Sequence, residues 1–208
     1  MTRSTRERLR FSHIAVEEEV SASFVDFNLT LYEGETCILT GRWKTKEHSI
    51  IRIMRGDIKI DSGEIYLNEK RVHQVDQSLL VDEKIYLVGG KKDLAQGLSV
   101  AENLILLRPR QKNSFFLRAS TLDLEAREVL DSLGLIMNVN ETVNQFSTFD
   151  QILISLARGV ARQAHLFMLD LTCDSFKADE YRKLQRLLAK LQAKGATLLI
   201  IDNTQIGR

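Results

Sequence analysis

The stretch from His165 to Asp202 constrains the fold more than any other. It reads as an apolar strand, HLFMLDL, then a helix, KADEYRKLQRLLAKLQAKG, with an apolar seam at Tyr181, Leu184, Leu188 and Leu191, then a second apolar strand, ATLLIID. Strands that are apolar on both faces and joined through a helix belong to a parallel sheet covered on both sides. The chain is therefore expected to be an α/β protein.

Earlier segments extend this frame. FVDFNLTLYEG alternates apolar and polar residues up to a Glu-Gly turn, the period of a half-buried strand, and ETCILTG follows as a short buried strand. From Glu47, EHSIIRIMRG places Ile50, Ile51, Ile53 and Met54 on one helical side, with Gly56 as the stop. SGEIYLNEKRV reads as a strand entering a turn at Asn68-Glu69, and KIYLVGG as another strand. The middle changes character: SVAENLILL and TLDLEAREVLDSLG are helical, the latter with Leu122, Ala126, Val129, Leu130 and Leu133 at helical spacing. DQILISLARGVARQA is apolar nearly all round, so that helix should be buried.

Composition removes several function classes. The 208 residues suffice for one large domain or two small lobes, and 29 basic against 28 acidic residues leave a charge of +1, which carries no nucleic-acid footprint. No apolar run approaches the roughly 18 residues of a membrane span, so any membrane link is expected to go through a partner. Arg3, Arg6, Arg8 and Arg10 near the start read as a solvated basic tail. Cys37 and Cys173 read as reduced core residues, and His13, His48, His73 and His165 stand singly, so no metal site is expected.

The order of these elements, and the words within them, resemble the nucleotide-binding cassette of ABC transporters of the sugar-importer type. FNLTLYEGETCILTG, DSGEIYLNEKRV, GLSVAENLIL, AREVLDSLGL and LARGVARQAHLFMLDLTCDSF match family phrases in order and spacing over nearly the whole chain. The resemblance implies a P-loop NTPase-like three-layer domain with a mainly parallel sheet, an N-terminal antiparallel β part and a helical insertion lobe. Residues 1–208 are expected to form a single cassette, with 1–92 and 151–208 as the RecA-like core and β lobe and 93–150 as the helical lobe.

The family's nucleotide chemistry is matched poorly. A P-loop follows the pattern GxxGxGKS/T: glycines let backbone N–H groups curl around phosphate, the lysine neutralises its oxygens and the hydroxyl holds magnesium. Aligned on Gly41, this chain has Arg42 and Trp43 next, Lys44 and Lys46 at glycine positions, Glu47 at the lysine, His48 at the hydroxyl and Ser49 just beyond. Exchanging lysine for glutamate removes an attraction and adds a repulsion, each worth roughly 4 kcal/mol at about 4 Å and an effective dielectric of 20. A basic cluster of Arg42, Lys44 and Lys46 remains to meet a phosphate or sulfate.

Other family positions depart as well. The adenine-stacking aromatic falls near Glu18, the Q-loop glutamine on Gly90 and the switch histidine on Asn203. In Walker B, Asp170 is kept, but the glutamate that polarises water in the family is replaced by Leu171, which can accept no proton. The signature, usually LSGGQ, reads FSTFDQ: Ser147 is kept, Thr148 and Phe149 replace the glycines, Asp150 replaces the glutamine, and Gln151 follows.

These changes lead to the expectation of a vestigial site: no catalytic residues, no enzyme activity, a pseudo-ATPase, and no cofactor, with ATP and magnesium as the alternative. The expected role is a structural or regulatory partner in a carbohydrate import system. The expected partner is another ABC cassette, a transporter permease subunit or a regulatory protein, with no nucleic acid. Two other readings stand beside it: a signalling or protein-interaction module using Trp43 and Phe149 as contacts, and an ATP-binding ATPase with a non-standard site. The expected location is cytoplasmic, peripheral at the inner face of the plasma membrane. The end at Arg208, just after the last strand, is expected to mark a domain excised from a longer protein.

Overall fold

A computed structural model describes residues 6–17, 24–40, 49–89, 93–105, 119–172 and 176–202. Two compact units divide the chain: Met1–Leu87 with His165–Ser175 and Leu191–Arg208, and Val88–Ala164 with Phe176–Lys190.

The first unit carries two sheets. Strands β1 (Glu7–Val16), β2 (Phe24–Tyr32), β4 (Ser62–Leu67) and β5 (Lys70–Val72) form an antiparallel sheet in the order β2-β1-β4-β5. Strands β3 (Thr36–Thr40), β6 (Ile85–Val88), β7 (Leu166–Asp170) and β8 (Thr197–Asp202) form the second in the order β3-β8-β7-β6, with β8 parallel to both β3 and β7. Helix α1 (Ser49–Arg55) buries Ile50, Ile51, Ile53 and Met54. One core joins these residues to Leu9, Phe11, Ile65 and Leu67 of the antiparallel sheet and to Leu166, Met168, Leu199 and Ile201 of the parallel one. Helix α1 stops at Gly56, whose φ of +79° suits glycine, and a Cβ there would lie 2.6 Å from the Val75 carbonyl oxygen.

Three readings of this unit change. The basic start is not a solvated tail from residue 7 on, because it forms β1. Arg8 is only 6% exposed, donating to Asn68 Oδ1 at 2.9 Å and pairing with Glu33, while the Arg10 guanidinium lies 3.6 Å from the centre of the Tyr66 ring. Neighbouring strands bury the arginine stems, which charge counting does not foresee. Strand β3 is present but not fully buried: its residues alternate exposed and half-buried, Ile38 being 39% exposed. Among the described residues β3 pairs with β8 alone, so its outer face lacks the cover given to β7 and β8. Cys37 is accordingly half-buried rather than a core residue, and Cys173 lies outside the described residues. The turn after β4 follows expectation, with positive φ at both Asn68 and Glu69, as a tight two-residue hairpin requires.

Helix α2 (Gln77–Asp82) escaped the periodicity reading because it is short. Its N-cap, Asp76, accepts from the Leu79 N–H at 2.8 Å.

The second unit is helical. It contains α3 (Val100–Ile105), α4 (Ala119–Leu133), α5 (Thr148–Ala161) and most of α6 (Ala178–Ala193). Helices α3, α4 and α5 pack on one another. Helix α4 turns Ala126, Leu130 and Leu133 inward, with Leu122 and Val129 half-buried at the margin. Helix α5 is buried continuously from Ile152 to Gly159, the outcome its all-round apolar character predicts. On α6, Leu184, Leu188 and Leu191 are buried as the seam predicts, Leu187 joins them, and Tyr181 is half-buried. Among the described residues, no helix is long and apolar enough to cross a membrane.

Candidate functional site

Open α/β sheets bind ligands at the carboxyl ends of their parallel strands, where side chains and free backbone groups converge. Here that edge is formed by Thr40, Asp202 and Asp170, the last residues of β3, β8 and β7, with β8 in the middle. Parallel register sets Thr40 opposite Asp202 and Asp170 opposite Ile201.

Asp170 is half-buried. Its Oδ1 accepts from the Thr172 hydroxyl at 2.6 Å and from the Thr172 N–H at 3.1 Å, so the carboxylate is oriented by the turn that leaves the strand. Leu171 is wholly buried and its N–H donates to the Ile201 carbonyl at 2.9 Å, closing the Asp170–Ile201 pair that ends the β7–β8 ladder. Ser49, 3% exposed, opens α1. Gly41, Arg42, Trp43, Lys44, Lys46, Glu47, His48, Gly90 and Asn203 lie outside the described residues, as does Glu18. Asp202, wholly buried, is the residue the sequence reading missed. An acid ending an apolar strand was the available signal.

Among the described residues no group of three His, Cys, Asp or Glu side chains could cage a metal ion. Magnesium in phosphate sites needs less: one or two carboxylates, hydroxyls and water, with substrate phosphates completing the shell. The oxygen donors at this edge, Asp170 with Thr172, match that chemistry.

Phe149, given above as a contact residue, is 5% exposed. Its ring meets Phe176 edge-on at 5.4 Å, Phe176 meets Tyr181 in the same way, and the Lys183 ammonium lies 5.7 Å from the Phe149 ring centre. It is therefore a packing residue. Ser147 is the N-cap of α5: its hydroxyl accepts from the Asp150 N–H at 3.1 Å and donates to Asp150 Oδ2 at 2.7 Å. Thr148 begins the helix, and Gln151 ties Phe146 to Gln96, donating to the Phe146 carbonyl at 3.0 Å and accepting from Gln96 Nε2 at 3.1 Å.

The sequence model of the ABC transporter family matches residues 24–173. The chain belongs to the ABC transporter family. Among curated relatives, the ribose import ATP-binding protein of Caldanaerobacter subterraneus subsp. tengcongensis is 26% identical over 176 residues, 85% of this chain and 36% of that protein. The arabinose import ATP-binding protein of Chromohalobacter salexigens is 25% identical over 196 residues, 94% and 39%. The galactofuranose transporter ATP-binding protein of Escherichia coli strain K12 is 27% identical over 179 residues, 86% and 35%. The chain thus spans well under half the length of each. Among solved structures, a nucleotide-free ABC transporter cassette superposes with a TM-score of 0.77 at 18% identity, over 96% of this chain and 82% of that one. A dimeric cassette in a post-hydrolysis state with ADP and phosphate gives 0.74 at 20% identity, over 95% and 88%. These likenesses establish the ABC cassette fold.

Two expectations are corrected by these findings. The inference that the chain is not an enzyme, and with it the pseudo-ATPase reading, does not stand against membership in the ABC transporter family and relatives named as ATP-binding import proteins. Nor does the expectation that no cofactor is needed. The charge argument at Glu47 gives the neighbouring cations too little weight. Residues 41–48 carry Arg42, Lys44 and Lys46 against that single acid, so the segment as a whole still attracts a polyanion.

Proposed function

We propose that this chain is an ATP-using cassette domain of a carbohydrate import system. The observation that carries the reading is Asp170, held by Thr172 at the carboxyl end of β7 in a member of the ABC transporter family. Relatives named for ribose, arabinose and galactofuranose favour a monosaccharide as the cargo.

In this reading Asp170 and Thr172 hold magnesium at the carboxyl edge of the parallel sheet. Gly41, Arg42, Lys44, Lys46 and Ser49 serve the phosphates from the segment after β3 and from the start of α1. Bound magnesium supplies charge neutralisation at the phosphate oxygens. The domain works beside a second cassette and a membrane-embedded permease, and lies peripheral to the membrane through that permease. Ser147 and Asp150 act structurally, closing the N-terminus of α5.

Isothermal titration of the full chain with magnesium and ATP, with ADP alongside, tests the reading. Saturable binding abolished by Asp170→Ala plus Thr172→Val supports it. No heat at millimolar nucleotide overturns it.

A further inference from the structure

We infer that the exposed side of α6 is a docking surface for the anionic headgroups of a lipid bilayer, a direct contact additional to the one made through a permease. At 3.6 residues per turn, Arg182, Lys183, Arg186 and Lys190 occupy roughly 100° of arc on α6 and extend along about 12 Å of it. All four are exposed. The opposite side carries Leu184, Leu187, Leu188 and Leu191, all buried, so the cations face away from the core. The acids of the helix, Asp179 and Glu180, stand in its first turn, and Glu180 already accepts from the Lys177 N–H at 2.7 Å. Among the described residues none of the four cations forms an ion pair.

Neither a solvated helix face nor the helix dipole accounts for this row. A solvated face alternates its signs, so that residues three and four apart attract. Here Arg182 and Arg186, and Arg186 and Lys190, are like charges four apart, which repel. The dipole favours a cation in the last turn, which explains Lys190 alone. Lys183 lies 5.7 Å from the centre of the Phe149 ring, which leaves Arg182 and Arg186 unexplained by the fold. The whole chain carries a charge of only +1, so the row is a local feature and not general basicity.

Basic amphipathic helices meet membrane surfaces or acidic targets. The exposed residues interspersed with these cations, Gln185 and Ala189, offer no aromatic or large aliphatic anchor. A protein interface draws its affinity from such anchors and is depleted in lysine, and single-stranded nucleic acid needs aromatic rings to stack on. A bilayer needs neither, because each Lys or Arg close to it is attracted by the summed charge of the lipids. Membership in a transporter family puts a bilayer within reach, and among the described residues no helix is long and apolar enough to cross one, so the contact lies at the headgroups.

The test is flotation of the full chain with vesicles of phosphatidylcholine alone and of phosphatidylcholine with phosphatidylglycerol in a two-to-one ratio. Two variants each remove two exposed cations: Arg182→Gln with Arg186→Gln from the row, and Lys59→Gln with Arg127→Gln from elsewhere. The parent should float with the anionic vesicles only, and be released in about 1 M salt, where the Debye length is about 3 Å. At about fivefold per cation, the row variant should bind roughly 25-fold more weakly, with the other variant within about twofold of the parent. Thermal melting checks that both variants fold. No flotation of the parent, flotation with the neutral vesicles as well, or equal weakening in the two variants overturns the inference. Tighter binding to polyglutamate or to transfer RNA than to the vesicles at matched charge also overturns it, assigning the row to an acidic protein or a nucleic acid. None of these outcomes depends on nucleotide, so they stand apart from the fate of the ATP-using reading.

Discussion

Asn103, wholly buried on α3, exchanges two hydrogen bonds with Ala95: its Oδ1 accepts from the Ala95 N–H at 2.9 Å and its Nδ2 donates to the Ala95 carbonyl at 3.0 Å. The same amide nitrogen reaches the carbonyls of Leu98 at 3.3 Å and Ser99 at 3.0 Å. One side chain thus satisfies the backbone of the bend that leads into α3.

Replacing Asn103 with Leu keeps the volume and strands those backbone groups. Each buried group left unsatisfied costs about 1–3 kcal/mol, so the denaturation midpoint should fall markedly. Asn103→Asp should be no milder, because a carboxylate can accept from Ala95 but cannot donate to the carbonyls. A midpoint within error of the parent would show that water takes the place of the amide.

Gly63 lies at the register shift between the Ala15–Ser62 and Ser12–Glu64 pairs of β1 and β4, at a φ of +94°, and a Cβ there would lie 2.4 Å from the His13 carbonyl oxygen and 2.6 Å from that of Ser12. Both contacts are backbone, so neither can swing away. Gly63→Ala should destabilise the first unit, with a backbone contribution alone of about 1–3 kcal/mol. Urea unfolding followed by far-ultraviolet dichroism measures it.

Two changes at the start of α5 separate packing from capping. Phe149→Ala empties a buried aromatic site against Phe176 and should cost about 3–5 kcal/mol. Ser147→Ala removes the cap on the Asp150 N–H and the hydroxyl's bond to Asp150 Oδ2, and should cost about 1 kcal/mol. Equal losses in the two variants would contradict the burial of Phe149.

Asp26 gives a pH dependence whose sign follows from its partners. His13 Nδ1 lies 2.6 Å from Asp26 Oδ1 and Asn28 donates to the same oxygen, which holds the Asp26 carboxyl below its ordinary value of 3.8. A depressed carboxyl pKa contributes stability above the unfolded value that is lost as pH falls through the folded one. The parent should therefore lose stability below pH 3.8 more steeply than Asp26→Asn, read from denaturation midpoints across pH 2–6. Parallel curves would mean that the exposed pair is screened out.

Much of the fold was legible because strand and helix periods are local. The apolar runs of β7 and β8, the seam of α6 and the all-round apolar α5 each follow from residues adjacent in the chain. Strand β1 was not legible, since its arginines masked it until Tyr66, Asn68 and Glu33 were brought against Arg8 and Arg10. At the site, Asp170 and Leu171 were singled out by the resemblance of their run to the family's Walker B segment. Asp202 was not, because its place between the strands ending in Thr40 and Asp170 depends on segments far apart in the chain.

By itself, then, the sequence determined the α/β class, the helical middle, and the placement of Asp170 at a strand end, all through the periodicity of neighbouring residues. Tertiary structure decided which strands are neighbours and in what register. It made β3 half-exposed, buried Arg8 and Phe149, and set Asp202 opposite Thr40. Periodicity specifies which residues share a face, but which strand lies alongside is chosen by packing and by the pairing of backbone groups far apart in the chain.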